Sequence, residues 1–488
     1  MQHESTALYQ ALASRDPRFD GVFFVGVLST GIYCRPVCTA RTPRAESCRF
    51  FTSAQAAEKE FFRPCLRCRP ELAPGSAPVD SAHRIAAGLA HRLGEPLPEG
   101  EGGLEEVAAQ FGLSARQVRR IIQREFGVSP IELLQSRRLL LAKQLLTETD
   151  LPVTEVAFAS GFASVRRFNA AFSARYRMSP TRLRREAAGA GARESTQETL
   201  TLRMGYRPPF DWGSLLRFLD AHVLLGVEVV EGDSYLRTVR LGAHRGWVRV
   251  RNAPERRSLQ VELSASLVPA IPALLERLRH LFDLCARPDL IHAHLGGDPR
   301  LAGSLDRRPG LRVPGAFDGF ELAARTVLGQ QVSVRAATTV AGRFAAAFGE
   351  PVETPHPALT RLSPTPERLA RATVDEIASL GIIRARATSI LALAAEVQAG
   401  RLRLDAGAPV EATVRQLKAL PGIGDWTAQY VALRALRWPD AFPGSDLVIR
   451  RQLGNVTAAH AEALSQPWSP WRGYAALHLW ESSADPRE

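Results

Sequence analysis

Apolar positions recur with helical spacing through the middle of the chain, and the pattern occurs twice. Glu106-Val107-Ala108-Ala109-Gln110-Phe111-Gly112 through Val128-Ser129-Pro130 is echoed by Glu155-Val156-Ala157-Phe158-Ala159-Ser160-Gly161 through Met178-Ser179-Pro180, with one extra residue near Ala163. Each copy reads as a short amphipathic helix, a glycine-containing turn, a serine able to cap (Ser114, Ser164) and a second helix. The inner face of that second helix carries Val118, Ile121 and Ile122 in one copy, and Phe168, Ala171 and Phe172 in the other. The pattern predicts two helix-turn-helix units in tandem. Two stretches lack this periodicity: Leu72-Ala73-Pro74-Gly75-Ser76-Ala77-Pro78, and the small polar run from Ala187 to Thr199. Both read as linkers. Further on, Arg237 to Val250 and Leu259 to Leu267 alternate with the period of strands. Later still, an amphipathic helix with Val414 and Leu417 and another with Trp426, Tyr430 and Leu433 flank a glycine-rich turn at Leu420-Pro421-Gly422-Ile423-Gly424.

The length of 488 residues is enough for about three or four domains, and a hydrophobic fraction of 45% can fill their cores. There is no long charge-free apolar run and no signal-peptide layout, so a cytoplasmic protein without a membrane partner is expected. The formal net charge of +12 attracts polyanions. Charge alone does not identify nucleic acid, but its placement does more. The second helices carry Arg116, Arg119, Arg120 and Arg124 in one copy and Arg166, Arg167 and Arg175 in the other, where a major-groove reader needs them. A helical bundle with a solvated basic face is the alternative. The repetition of the arginines in both copies favours double-stranded DNA.

Four of the 6 cysteines form two close pairs, Cys34-Arg35-Pro36-Val37-Cys38 and Cys65-Leu66-Arg67-Cys68. Such pairs on separate turns supply the four soft ligands that tetrahedral zinc prefers, so one closed zinc site is expected at Cys34, Cys38, Cys65 and Cys68. Cys48 and Cys285 read as free thiols of ordinary packing. Four thiolates on one dication leave a formal charge of minus two, which makes a sulfur electron-rich. Composition alone cannot separate such a nucleophile from a structural staple.

The double helix-turn-helix resembles the DNA-binding domain of the AraC family of transcription activators. The segment before it, Thr30-Gly31-Ile32-Tyr33-Cys34-Arg35-Pro36-Val37-Cys38 with Phe62-Arg63-Pro64-Cys65-Leu66-Arg67-Cys68, resembles the N-terminal domain of Ada-type methyl-accepting regulators of the response to DNA alkylation. That resemblance implies a zinc ion that is both structural and thiolate-activating. It makes Cys34 the acceptor of a methyl group from a methylated DNA phosphate, and RNA polymerase a protein partner of a monomeric activator. Loss of one negative charge on methylation would raise affinity for DNA. Arg35, Arg41, Arg44, Arg63 and Arg67 around the cluster are the expected phosphate contacts. Ada proteins commonly carry a second acceptor in Pro-Cys-His-Arg. This chain has no such run, so direct reversal of O6-alkylguanine is not expected.

The glycine-rich turn alone is a weak signal. With Asp446 following in Phe442-Pro443-Gly444-Ser445-Asp446, it resembles the helix-hairpin-helix, Gly/Pro and Asp signature of a DNA glycosylase superfamily. Phe320 to Ser333, Trp471 to Trp480 and Tyr206-Arg207-Pro208-Pro209-Phe210-Asp211-Trp212 extend the likeness to the AlkA-type 3-methyladenine DNA glycosylases. The resemblance implies that Asp446 stabilises the oxocarbenium-like charge on deoxyribose while water attacks. It also implies that Trp426, Tyr430 and Trp480 receive the flipped base, and that Gly422 and Gly424 let backbone N–H groups hold a phosphate. Cationic alkylated purines suit such aromatic walls. Core packing at helical spacing is the plain reading of Tyr430 and Trp480, and a helix N-cap that of Asp446. Strand-cutting relatives carry a lysine where this chain has Trp426, so a monofunctional N-glycosylase is expected. With only Cys285 in this part, no four-cysteine iron–sulfur cluster is expected. Gln331 stands where relatives place an apolar wedge.

The expected architecture is multidomain and mainly α, with a small zinc-bound α/β domain (1–75), a double helix-turn-helix (80–186), an α/β lobe (200–290) and a helix-hairpin-helix glycosylase domain (291–488). The rival expectation is a zinc-dependent transcription regulator whose C-terminal domain binds DNA without catalysis.

Overall fold

The computed structural model describes residues 2–75, 86, 88–89, 101–111, 113–188 and 198–483. The chain forms two compact units. One gathers the described residues up to Pro208 together with Ala253–Glu276, and the other consists of Pro209–Asn252 and the chain from Arg277 onward. No helix among the described residues is long and apolar enough to cross a membrane.

The first unit opens with a four-stranded sheet of order β3-β1-β2-β4: β1 (Phe24–Val27), β2 (Ile32–Cys34), β3 (Cys48–Phe51) and β4 (Arg63–Pro64). Aromatic and β-branched residues favour these short strands. Gly26 is required at its place, because a Cβ there would lie 2.8 Å from the rings of both Phe51 and Phe62. The parallel pairing of β2 with β4 sets Tyr33 opposite Pro64, and the Cys65 N–H donates to the Tyr33 carbonyl at 3.0 Å. Two cysteines distant in sequence are thereby brought to one end of the sheet.

Both helix-turn-helix copies form. The second helix of the first copy, Ala115–Phe126, starts in a capping box between Ser114 and Gln117 and ends at Gly127 with φ of 72°. Its partner in the second copy, Val165–Tyr176, is capped by Ser164 and ends at Arg177 in the left-handed region, where glycine would be the easier residue. The cores differ in kind. Val107, Val118, Ile122, Val128 and Leu133 fill the first, whereas Phe162, Phe168, Phe172 and Tyr176 form an aromatic ladder with centroids 4.4 to 5.5 Å apart in the second.

Between the copies runs a long helix, Pro130–Glu148, whose buried residues face several directions. Leu140 joins a cluster with Phe24, Tyr33 and Phe62 of the sheet module. At its far end Glu148 binds Arg203 of strand β5 (Thr199–Gly205), and Gln144 donates to the Arg203 carbonyl. Strand β5 pairs antiparallel with β9 (Ser258–Ser264) over seven residue pairs.

The expected linker at Leu72–Pro78 is packed where it is described. Leu72 closes a helical turn, Arg207 donates to the carbonyls of Pro74 and Gly75, and a Cβ on Gly205 would meet the Leu72 oxygen at 2.0 Å. A proline- and glycine-rich run has few side chains to pack, but its carbonyls can be bound by a buried arginine. In the second expected linker, Ala187 and Ala188 end a helix (Pro180–Ala188) and Thr199 starts β5, while residues 189–197 lie outside the described residues.

In the second unit the helix Trp212–Ala221 is followed by an antiparallel meander of β6 (Glu228–Glu231), β7 (Ser234–Leu241) and β8 (His244–Ala253), turning at Gly242. The remainder is helical around two hydrophobic clusters. The helix Trp212–Ala221, the loop between Gly319–Leu328 and Val334–Phe348, and the hairpin of Val410–Ala419 with Asp425–Arg434 carry the features below.

Candidate metal centre and candidate active site

The sulfurs of Cys34, Cys38, Cys65 and Cys68 all lie within 4.8 Å of one another. Tetrahedral zinc with Zn–S bonds of about 2.3 Å sets its sulfurs about 3.8 Å apart, so the donor set fits the metal in both number and chemistry. The Arg35 N–H donates to Cys68 Sγ at 3.3 Å. Among the described residues no backbone N–H donates to Cys34 Sγ.

Arg35 does not belong with the phosphate contacts. Its guanidinium is part-buried, pairs with Asp20 and donates to the Cys68 carbonyl at 3.1 Å, so it braces the cluster from behind. Arg67 is exposed, and Arg41, Arg44 and Arg63 are at least partly so. Arg116, Arg119, Arg120, Arg124, Arg166 and Arg167 all point outward from their helices. Arg175 is drawn inward to Glu58 of the sheet module, 3.4 Å away, and the Tyr33 hydroxyl donates to the same carboxylate at 2.9 Å. These two partners were invisible in the sequence, since they are set by long-range packing.

In the second unit, Asp446 is the N-cap of the helix Leu447–Gln452. Its Oδ1 accepts from the backbone N–H groups of Val448 (2.9 Å) and Ile449 (3.0 Å) and from the Trp480 indole at 3.1 Å, while Oδ2 accepts from the Trp426 indole at 2.7 Å. Four donors fix the carboxylate in one orientation. The cap and the two indole contacts therefore coexist on one side chain. Trp426 stacks on Tyr430 with centroids 5.1 Å apart and planes 12° apart, and Tyr430 meets Trp480 edge-on at 6.1 Å. All three rings are half-buried rather than lost in the core.

The hairpin glycines differ. Gly422 has φ of 73°, and a Cβ there would lie 2.3 Å from Ser389 Oγ, so the fold itself demands glycine. Gly424 has an ordinary φ of −87°, and a Cβ on it would meet nothing within 4 Å. Gln330 ties the neighbouring loop to the hairpin by donating to the Gly422 carbonyl (2.9 Å) and to Thr427 Oγ1 (3.0 Å). Gln331 is exposed at the tip of that loop with φ of 54°, an uncommon conformation for a residue with a Cβ. Arg386 holds the loop from below through the carbonyls of Leu328 and Gln330.

Nothing in the residue pattern pointed to Phe218 or Arg434. The Arg434 guanidinium carbon lies 4.9 Å from the Phe218 ring centroid and 5.3 Å from that of Tyr430. The helix Trp212–Ala221 thus reaches the surroundings of the aromatic site.

Family models match successive stretches of the chain: the metal binding domain of Ada over residues 7–71, a helix-turn-helix domain over 107–186, the AlkA N-terminal domain over 201–318, and the HhH-GPD superfamily of base excision DNA repair proteins over 324–466. A Mycobacterium tuberculosis protein named "Probable bifunctional transcriptional activator/DNA repair enzyme AlkA" is 39% identical across 100% of this chain and 98% of its own length. The Escherichia coli "DNA-3-methyladenine glycosylase 2" is 36% identical over 57% of this chain and 95% of its own. In structure, a 3-methyladenine DNA glycosylase from Archaeoglobus fulgidus matches with a TM-score of 0.50 at 22% identity, covering 58% of this chain and 98% of that one, which shows the shared fold. From its cysteine cluster through its paired reading helices to its hairpin and aspartate, the chain belongs to the family of bifunctional transcriptional activator/DNA repair enzymes that join an Ada-type metal-binding module to an AlkA-type glycosylase.

Proposed function

We propose that the protein both senses and repairs DNA alkylation. Its glycosylase half hydrolyses the N-glycosidic bond of alkylated bases such as 3-methyladenine and 7-methylguanine. The observation that carries this reading is the Asp446 carboxylate, fixed by two indole N–H groups and a helix N-terminus directly beside a stacked aromatic wall. A preoriented negative charge there stabilises the cationic sugar as the bond breaks, without waiting for solvent to reorganise. The flipped base rests against Trp426, Tyr430 and Trp480, whose faces attract the positive charge of an alkylated purine. Gly422 and Gly424 present hairpin N–H groups to a phosphate, and Gln331 fills the gap left in the stack. Trp426, in place of a lysine, makes the enzyme a hydrolase rather than a lyase. Retention of this carboxylate geometry speaks against a merely DNA-binding C-terminal half.

In the metal module, Cys34, Cys38, Cys65 and Cys68 would hold one zinc ion, which when bound keeps the sulfurs as thiolates. The chain's own contribution is selectivity among them. Cys68 receives a backbone hydrogen bond that damps its sulfur, while Cys34 receives none among the described residues, which supports Cys34 over Cys68 as the nucleophile. Cys34 Sγ attacks the methyl carbon of a phosphate methyl ester, the C–O bond breaks, and the phosphate leaves as the anion. The thioether that results carries one negative charge less, and affinity for promoter DNA rises. Arg116, Arg119, Arg120, Arg166, Arg167 and Arg67 then face DNA, and RNA polymerase is recruited by a monomeric, cytoplasmic activator. Chromatography of bases released from methylated DNA tests the glycosylase reading, and peptide mass spectrometry after exposure to methylphosphotriester DNA tests the acceptor. Near-normal release by Asp446→Asn, or a methyl on Cys38 in place of Cys34, would contradict the corresponding half.

A further inference from the structure

Arg434 is 8% exposed and lies one helical turn beyond Tyr430. Its Nε donates to the Pro314 carbonyl at 2.7 Å, one terminal nitrogen donates to the Gly315 carbonyl at 3.2 Å, and the other donates to the Tyr430 hydroxyl at 2.7 Å. Among the described residues no carboxylate comes within ion-pair distance of it. The nearby acids are already paired, Glu228 and Glu321 with Arg237 and Arg325, and Asp318 with Arg277. His222, stacked on Phe218, is pushed down to about 4, chiefly by burial, and so adds no second cation at neutral pH. Arg434 is therefore a buried positive charge with neutral partners only, set against the aromatic wall of the site.

Such a charge is expensive to bury and works against a cationic base, since it repels the positive charge that the neighbouring rings attract. It has a different effect on Tyr430. Arginine has no acceptor atom, so in the contact between them the Tyr430 oxygen must accept. Its own proton is left without an acceptor among the described residues, and the adjoining cation makes that proton a stronger donor. Cleavage leaves both electrons of the C1′–N bond on the base. A cationic alkylated base departs neutral and needs no help, but a neutral damaged base departs as an anion.

We propose that Arg434 is a positioning residue that turns the Tyr430 hydroxyl into a hydrogen-bond donor for a departing base, an aid that matters when the base is neutral and not when it is cationic. The inference rests on the glycosylase reading above. The bonds balance without any added reagent. Water adds its oxygen to C1′, and the proton it gives up ends on the released base through solvent, with Tyr430 stabilising the anion in the interval.

The test is single-turnover release of hypoxanthine, a neutral deaminated purine, and of 7-methylguanine, a cation, from otherwise identical duplexes. The ratio of the hypoxanthine rate to the 7-methylguanine rate is expected to fall about tenfold or more in Arg434→Gln. Tyr430→Phe, which removes one oxygen and keeps the ring, should lower the ratio as far, and the double variant no further. Arg434→Lys, which keeps the charge, should recover much of it. A purely structural role would lower both rates together and leave the ratio unchanged, which overturns the proposal. A wild type that releases 7-methylguanine but no hypoxanthine overturns it as well, while one that releases neither overturns the glycosylase reading itself. If Arg434→Gln does not fold, Tyr430→Phe alone decides.

Discussion

The cysteine cluster and the Asp446 site solve the same problem with opposite means. Each must hold one reactive side chain at the end of a short segment, with backbone N–H groups tuning its neighbours or itself. Around the cysteines there is little else. Strands of two to four residues and a small cluster of Leu12, Val25 and the ligands themselves make up the surroundings. Asp446 sits instead between two large hydrophobic clusters, with Tyr430 packed against one and Trp480 against the other. A module that small draws its order from metal, whereas the aspartate is positioned by packing that exists before any ligand arrives. The contrast suits the proposed chemistry, in which a sulfur would react once and need not be rebuilt, while a carboxylate would turn over and must stay in place.

The largest effect should come from taking a ligand out of the metal module. Cys65→Ala is expected to unfold the sheet module, since structural zinc contributes on the order of 10 kcal/mol to folding of such small units. Zinc content and near-ultraviolet dichroism would report it. Base release should persist, because Asp446, Trp426, Tyr430 and Trp480 all lie in the second unit. Its loss would mean that the two sites are not separately supported.

Next in size is Asp446→Asn, which keeps shape and cap acceptor but removes the charge. Excision should fall about a hundredfold or more with the fold intact, and binding to abasic DNA should be nearly unchanged. Equal losses in binding would recast Asp446 as structural.

The two hairpin glycines should separate a demand of the fold from one of DNA contact. Gly422→Ala should cost about 1–3 kcal/mol of stability, from left-handed strain and the clash with Ser389. Gly424→Ala should cost none that thermal melting detects, yet weaken DNA binding, since its missing Cβ faces open space. Parallel melting curves for the two variants would refute the distinction.

The smallest effect is expected at Glu58. Burial holds its carboxyl above the ordinary glutamate range, against the lowering pull of Arg175. A carboxyl raised on folding contributes stability below its unfolded value and loses it as pH rises through the folded one. Melting of the first unit should therefore decline as pH rises above the ordinary glutamate range. Glu58→Gln should flatten that decline, and an unchanged pH profile would show that Glu58 is not the group responsible.

What the sequence made legible follows from how local each signal is. The four cysteines, the capped reading helices and the run from Leu420 to Asp446 are written in neighbouring residues, and the structure brings Asp446, Trp426, Tyr430 and Trp480 into one contact group. Arginines were less legible, because a solvated one and a buried one look alike in a string. Arg35 turns to Asp20, Arg175 to Glu58, and Arg207 to the carbonyls of the presumed linker, each over a distance that no periodicity encodes. Arg434 reads as an ordinary basic residue at a helix C-terminus until its neighbours show that, among the described residues, it has no anion. The left-handed backbone at Gln331 and Arg177 was equally hidden, since glycine is the residue that announces that conformation.

On the proposed function, two separately built sites perform two chemistries on alkylated DNA. One measurement tests it most directly: DNA carrying isotopically labelled methyl groups is incubated with wild type, Cys34→Ser and Asp446→Asn, and label is counted in protein and in released bases. The account predicts that Cys34→Ser releases labelled bases at the wild-type rate while its protein stays unlabelled, and that Asp446→Asn takes up label on Cys34 while releasing almost no base. Loss of both products in either variant, or of neither, would contradict it.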